Sequence, residues 1–117
     1  MSVQHISAIT FAVHDMDRSV DFYQRLGFNL VHGGLDAEFS SLRFDNAFVN
    51  LHLHPGVIPR GWGRVIFRVD DVRAYHDRLE KAGLFSEKPR DATWGERYFR
   101  IADPDGHELS FAQLIRL

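Results

Sequence analysis

Two segments of the chain alternate between apolar and polar residues, which is typical of half-buried β-strands. They are Ile6–Val13 and Gly63–Val69. After each segment the apolar residues recur every three or four positions, and this spacing predicts an amphipathic helix. An acidic residue precedes each helix and can accept a bond from a free backbone N–H at the helix start. We therefore expect Asp15 or Asp17 to cap the first helix and Asp71 to cap the second.

The strand and helix patterns are duplicated along the chain. The glycines predicted to end the two helices, Gly27 and Gly83, are 56 residues apart (83 − 27 = 56), and the preceding strands keep the same offset. A repeat of this length indicates a duplicated structural unit. The sequence predicts one domain over residues 1–117, with a first module over about 1–56 and a second over about 62–117.

Three further strands are predicted after each helix. They lie near Phe28–His32, Glu38–Phe44 and Phe48–His54 in the first module, and near Leu84–Glu87, Arg97–Ala102 and His107–Ala112 in the second. The order βαβββ, present twice, predicts an α+β fold in which the two modules form a curved mixed sheet around a central cavity. The sheet face away from each helix is expected to line that cavity.

The composition narrows the classes of function. The 117 residues carry a net charge of −2 and include no cysteine, which excludes disulfides, thiol catalysis and zinc–thiolate sites. No basic run suggests a nucleic-acid face, and no apolar stretch approaches the roughly 18–20 residues that span a bilayer. The beginning of the chain lacks the pattern of a signal peptide. The expectation is a cytoplasmic protein.

Several motifs resemble the vicinal oxygen chelate superfamily, which contains glyoxalases, bleomycin-resistance proteins and dioxygenases. The run Asp15–Tyr23 followed by Leu26–Phe28 is similar to the first helix of that family. The run Trp94–Arg97 followed by Asp103–His107 is similar to its closing hairpin. Together with His54-Pro55-Gly56, these motifs most resemble the metal-free bleomycin-resistance type. The resemblance implies a homodimer, often with cavities built across the subunit interface.

Metalloenzymes of this superfamily carry their ligands on the first and last strand of each module. By the 56-residue offset (64 − 8 = 56 and 110 − 54 = 56), these positions are Ala8, His52 or His54, Arg64 and Ser110. Alanine has no donor atom, and arginine is a permanent cation without a lone pair. A divalent ion wants three or four nitrogen or oxygen donors. We therefore expect no metal and no other cofactor at these positions.

The remaining polar residues suggest a pocket for a small organic molecule. The residues predicted to bind it are Thr10, His52, His54, Arg64, Arg68, Trp94 and Ser110. Guanidinium groups make paired contacts to carboxylates, and tryptophan offers a flat apolar surface. The predicted ligand is neutral or anionic. No catalytic residue is identified, since there is no cysteine and no Gly-x-Ser-x-Gly elbow.

Alternatives remain open from the sequence. A metal site of another kind, built from His52, His54 and a third donor such as Glu108, would make the protein a metal-dependent lyase, isomerase or dioxygenase. The protein could also be a structural or regulatory dimer with a vestigial cavity. Arg64 and Arg68 could be solvated or paired with nearby acids. Five other histidines are expected at the surface, namely His5, His14, His32, His76 and His107.

Overall fold

A computed structural model describes residues 1–115. The elements are β1 (Ala8–Val13), α1 (Met16–Arg25), β2 (Asn29–His32), β3 (Phe39–Phe44), β4 (Ala47–Leu53), β5 (Arg64–Arg68), α2 (Val72–Lys81), β6 (Arg90–Asp91), β7 (Glu96–Ala102) and β8 (Glu108–Leu114). The order is βαβββ twice. The predicted α+β class with two such modules is confirmed.

The chain divides into two compact units, Met1–Ile58 and a second that begins at Pro59. The first unit contains a four-stranded sheet in the order β1-β4-β3-β2, and the second contains one in the order β5-β8-β7-β6. In each sheet the first strand of the unit pairs in parallel with the last, and the other pairings are antiparallel. Both sheets are therefore mixed, and each repeats the topology of the other.

The two helices begin in the same way. Asp15 Oδ1 accepts a 3.1 Å hydrogen bond from the Arg18 backbone N–H, and Asp71 Oδ1 accepts one of 3.1 Å from the Ala74 N–H. Each bond satisfies a donor that has no partner within the helix. Asp15, rather than Asp17, is thus the cap of α1, and the predicted cap of α2 is confirmed.

The helices also end alike. Gly27 follows α1 with φ 103°, and Gly83 follows α2 with φ 85°. In this left-handed region a side chain would clash with the backbone, so glycine ends a helix at little cost. Neither helix of the described chain, at ten residues each, has the length and apolar character needed to cross a membrane.

Each helix packs on one face of its own sheet through aromatic side chains. In the first unit Phe11 of β1 stacks on Tyr23 of α1 with 5.8 Å between ring centroids. In the second unit Tyr75 of α2 contacts Phe99 and Phe111, at 6.3 and 4.8 Å. Because side chains alternate along a strand, the polar residues between these aromatics lie on the opposite face of each sheet.

One predicted strand is wrong. The segment Leu84–Glu87 is irregular, and the strand that pairs with β7 is the two-residue β6. The side chain of Glu87 explains the difference, because its Oε1 accepts hydrogen bonds from the backbone N–H of Arg100 (3.1 Å) and from Arg100 Nε (3.0 Å). A carboxylate here takes the place of a strand backbone as the partner of β7. Pro89, which has no N–H, also interrupts pairing.

Two histidines expected at the surface are buried instead. His76 on α2 is 5% exposed and His107 is 4% exposed, whereas His5, His14 and His32 are exposed as predicted. The His107 ring is covered because its Nδ1 accepts a 2.9 Å hydrogen bond from the Trp62 indole N–H. This bond spans 45 residues of sequence. Local sequence patterns could not have indicated it.

Candidate functional site

The strand register changes the correspondence between the two modules. Thr10 of β1 lies opposite Asn50 of β4, and Ile66 of β5 lies opposite Ser110 of β8. The first strands are therefore related by 66 − 10 = 56 residues, but the last strands by 110 − 50 = 60. Asn50, not His54, is the counterpart of Ser110. The prediction that paired His54 with Ser110 is wrong, because the segments before β8 are longer in the second module.

In the first unit, the predicted residue Thr10 belongs to a small polar network. Ser41 Oγ donates a 2.5 Å hydrogen bond to Asn50 Oδ1, and Asn50 Nδ2 donates a 3.4 Å bond to Thr10 Oγ1. These bonds join β3 to β4 and β4 to β1, the first strand at the edge of the sheet. The side chains of Thr10, Ser41 and Asn50 therefore use much of their hydrogen-bonding capacity on one another.

The two predicted histidines of the first unit lie at different places. His52 is exposed on β4, opposite Ala12, with its ring centroid 6.2 Å from that of Phe39. His54 follows the end of β4, and its backbone N–H donates a 2.8 Å bond to the Val13 carbonyl. Only His52 thus projects from the strand itself.

In the second unit, we call the sheet face opposite α2 the polar face. It comprises Arg64, Ile66 and Arg68 of β5, Glu96, Tyr98 and Arg100 of β7, and Glu108, Ser110 and Ala112 of β8. Three of the predicted ligand-binding residues lie on this face. The residues from β7 were missed, although strict alternation along the strand would have placed Glu96, Tyr98 and Arg100 together.

Arg64 and Arg68 have acidic neighbours at some distance. Arg64 Nη1 lies 3.9 Å from Glu108 Oε2, and Arg68 Nη2 lies 3.8 Å from Glu96 Oε2. Both separations are longer than the donor–acceptor distance of a hydrogen bond. The arginine side chains are 39% and 62% exposed, and an ion pair so open to solvent contributes about 0–1 kcal/mol. The acids therefore attract these guanidinium groups without fixing them.

Arg100 is held much more firmly. Its Nε and Nη2 donate to the Glu87 carboxylate at 3.0 and 3.2 Å, a bidentate contact. This contact, more than the neighbouring charges, holds the pKa of Glu87 below its usual value of 4.5. Arg100 Nη1 also lies 3.9 Å from Glu108 Oε1, so the Glu108 carboxylate lies between Arg100 and Arg64.

An aromatic surface adjoins these charges. Trp94 precedes β7 and is 61% exposed, and its ring stacks with that of Tyr98 at a centroid distance of 6.1 Å. The indole N–H donates a 2.7 Å hydrogen bond to Glu96 Oε1. Arg90 Cζ lies 5.1 Å from the centroid of the Tyr98 ring. Trp94 is thus an exposed ring with a fixed orientation.

Ser110 is the most buried of the predicted ligand-binding residues, at 2% exposure. Its Oγ has no hydrogen-bond partner within residues 1–115. It lies between Ile66 and Arg100 in the sheet register. An unsatisfied buried polar group costs about 1–3 kcal/mol, so this hydroxyl gains from any partner that a bound molecule supplies.

A family model of the glyoxalase/bleomycin resistance protein/dioxygenase superfamily matches residues 3–111. The chain belongs to this superfamily. The bleomycin resistance protein of Klebsiella pneumoniae is 28% identical to it over 108 residues, which cover 85% of this chain and 84% of that protein. The metallothiol transferase FosB of Shouchella clausii is 32% identical over 119 residues, covering 92% and 78%.

A solved structure agrees with the fold. TnmS3, an antibiotic binding protein from a Streptomyces species, matches with a TM-score of 0.76 at 28% identity, covering 97% of this chain and 98% of that one. The relatives thus include a resistance protein, a transferase and an antibiotic-binding protein. Membership in the superfamily therefore does not by itself decide between binding and catalysis.

The positions at which metalloenzymes of the superfamily bind their ion carry an unsuitable set of donors here. With the corrected register they are Ala8, Asn50, Arg64 and Ser110. Alanine offers no donor, and a guanidinium offers no lone pair and repels a cation. The amide oxygen of Asn50 already accepts a bond from Ser41. Neither the pair in the first unit nor the pair in the second therefore offers a donor set that suits a divalent ion.

Proposed function

We propose that the protein is a cytoplasmic, homodimeric small-molecule-binding protein that binds a neutral or anionic organic ligand without a divalent metal at the superfamily positions. The observation that carries the proposal is the exposed strand β5, on which Arg64 and Arg68 flank the apolar side chain of Ile66. Ile66 is 53% exposed, which is unusual for an isoleucine at the middle of a strand. A molecule with an apolar body and an acidic group matches this strand.

The loose ion pairs support an anionic ligand. A guanidinium group 3.8–3.9 Å from a glutamate can turn toward a ligand carboxylate at little cost, because it gives up no hydrogen bond. Two parallel N–H···O bonds to the ligand would then replace a weak contact. Arg100 is less suited to this role, since its bidentate bond to Glu87 would first have to break.

The aromatic pair and the buried serine add to this picture. Trp94 and Tyr98 offer a flat apolar surface beside Glu96. The Ser110 hydroxyl is buried and can bond to a ligand once the neighbouring Ile66 or Arg100 side chain moves aside. A ligand that covers Ile66, stacks on Trp94 and accepts bonds from the arginines combines these contacts. We therefore favour an aromatic carboxylate as the ligand over a cationic glycopeptide such as bleomycin.

The matched probes for this function are an aromatic carboxylate and its methyl ester, which differ in charge and little in shape. Thermal shift measured against a panel of such pairs is expected to show stabilisation by the acids. Arg64→Ala should weaken acid binding about tenfold to a hundredfold, the equivalent of one hydrogen-bonded contact between charged groups. The exposed Arg18→Ala on α1 serves as the control. Equal affinity of acid and ester, or an unchanged affinity in Arg64→Ala, would refute the assignment.

The competing function is a metal-dependent lyase, isomerase or dioxygenase that uses His52 and His54. Metal content of untagged protein, compared with that of a His52→Gln/His54→Gln double variant, separates the two. One tightly bound metal ion that the double variant loses would overturn the proposal. Size-exclusion chromatography with light scattering tests the dimer, and a mass of 13.5 kDa at micromolar concentration would contradict it.

A further inference from the structure

A buried histidine and two exposed carboxylates of α2 lie close together in the second unit. They are His76, Asp77 and Glu80, and one ligand atom from each lies within 4.8 Å of the other two. We propose that these three residues form a binding site for a divalent transition-metal ion such as Zn²⁺. The proposal does not depend on the function proposed above, since none of the three residues belongs to the polar face.

The geometry converges on one point. His76 Nδ1 lies 4.0 Å from Asp77 Oδ1 and 3.9 Å from Glu80 Oε1. His76 and Glu80 are four residues apart, which places both on one side of the helix. The distances are too long for hydrogen bonds but close to what an ion with bonds of about 2.0–2.2 Å needs between two of its ligands. A small rotation of the exposed carboxylates closes the gap.

The burial of His76 is what distinguishes this cluster from an ordinary charged helix surface. Its side chain is 6% exposed, and its Nδ1 faces the two carboxylates at 3.9–4.0 Å, while Nε2, on the other side of the ring, has no hydrogen-bond partner within residues 1–115. The ring packs edge-on against Phe99 at a centroid distance of 5.0 Å, which fixes its orientation. The ring therefore presents Nδ1 to the two carboxylates without any reorganisation.

The chemistry of the donors selects the ion. Imidazole nitrogen suits Zn²⁺, Ni²⁺, Cu²⁺ and Fe²⁺ better than Ca²⁺ or Mg²⁺, which prefer oxygen alone. Three protein donors leave coordination positions for water. The cluster borders a depression of about 350 Å³, which has room for such water molecules.

Two cations also line this depression, namely Arg73 and Lys88. Both are exposed, so their flexible side chains can extend into solvent, but their charges oppose the binding of a metal ion. They lower the affinity of the site. Removing one of these two cations should therefore strengthen metal binding, and this expectation provides a further test.

The experiment is titration of the untagged full chain with ZnCl₂ by isothermal calorimetry, and with CoCl₂ followed by visible absorption. One equivalent is expected to bind. Loss of a ligand should weaken binding at least about tenfold, since even outer contacts of a metal site contribute that much. Glu80→Gln is the main variant, because Glu80 is exposed and its replacement leaves the packing intact. His76→Gln and Asp77→Asn complete the set.

The controls identify the site. The exposed Asp70→Asn and the double variant His52→Gln/His54→Gln should bind zinc like the original protein, whereas Lys88→Gln should bind it about two- to threefold more tightly. The proposal is overturned if no zinc binds, if Glu80→Gln leaves the affinity unchanged, or if the double variant loses the ion.

Discussion

The indole N–H of Trp94 donates a 2.7 Å hydrogen bond to Glu96, and the other carboxylate oxygen of Glu96 lies 3.8 Å from Arg68. One side chain thus orients the exposed aromatic ring and restrains the exposed cation. The two contacts differ in strength, since the first is a charge-assisted hydrogen bond and the second is a solvent-exposed ion pair. Glu96 therefore competes with an anionic ligand for Arg68 while it holds Trp94 in place.

Neutralising Glu96 should release Arg68 without releasing Trp94. Glu96→Gln keeps an acceptor for the indole but removes the charge, so aromatic carboxylates are expected to bind about two- to fivefold more tightly. Their methyl esters should show no change. Thermal shift or quenching of Trp fluorescence measures both. Asp91→Asn is the matched control, because Asp91 pairs with Arg97 at 2.7 Å. Weaker acid binding in Glu96→Gln would show that Arg68 does not meet the ligand.

Ser110 and Ser40 offer a comparison between a buried hydroxyl without a partner and one that has a partner. Ser40 Oγ accepts a 2.9 Å bond from the Gly34 N–H, whereas Ser110 Oγ has no partner within residues 1–115. Ser40→Ala should lower the free energy of unfolding by about 1–3 kcal/mol, and Ser110→Ala should leave it unchanged or raise it. Chemical denaturation measures both. A clear loss of stability in Ser110→Ala would mean that its hydroxyl is satisfied by water.

The same serine should matter for ligand binding. If its hydroxyl bonds to the ligand, Ser110→Ala should weaken the binding of an aromatic carboxylate about threefold to tenfold. This change is the equivalent of one neutral hydrogen bond. Ser40→Ala, which lies in the other unit, is expected to leave that affinity unchanged at a temperature where both variants are folded. Equal effects of the two variants on binding would exclude a role for Ser110 in the site.

The capping residues of the two helices should contribute equally to the stability of the protein. Asp15→Ala and Asp71→Ala each remove the acceptor of one helix-start N–H, so each is expected to cost about 1 kcal/mol of unfolding free energy. Thermal unfolding compares them with Asp70→Ala, an exposed acid that precedes the α2 cap. If Asp70→Ala lost as much stability as Asp71→Ala, the effect would come from the removal of a negative charge near the helix start and not from the loss of the capping hydrogen bond.

The ion pair of Glu87 and Arg100 predicts a pH dependence. The pKa of Glu87 is lowered in the folded chain, chiefly by the hydrogen bond from Arg100, so the folded state favours the charged carboxylate. Its contribution to stability is therefore present above the usual value of 4.5 and is lost as pH falls through the lowered pKa. Glu87→Gln should be less stable at pH 7 by about 1 kcal/mol, and the difference should vanish in acid.

The control for this prediction is Glu38→Gln, in an exposed position of the first unit. Its difference from the original protein is expected to stay small from pH 3 to pH 7. A Glu87→Gln variant whose stability deficit stayed constant as the pH fell would indicate lost packing rather than lost charge. Denaturant midpoints at a series of pH values distinguish the two outcomes.

The local features of the fold follow from sequence alone. The cap at Asp71, the glycines after each helix and the alternation of β1 and β5 were predicted, and the cap of α1 was narrowed to Asp15 or Asp17, because each feature depends on residues within a few positions of one another. The duplicated order of elements, and with it the α+β class, followed from the same local signals. Strand alternation also placed Arg64 and Arg68 on one face.

Tertiary structure decided what depends on distant residues. The 60-residue offset that makes Asn50 the counterpart of Ser110 arises from loop lengths, and hydrogen bonding between strands fixes it. The burial of His76 against Phe99 depends on how a helix packs on a sheet, and the partners of Arg64 and Arg68 come from strands far away in sequence. A sequence pattern indicates the local conformation that each residue favours. The contacts that a residue makes with distant parts of the chain depend on the length and path of every loop between them.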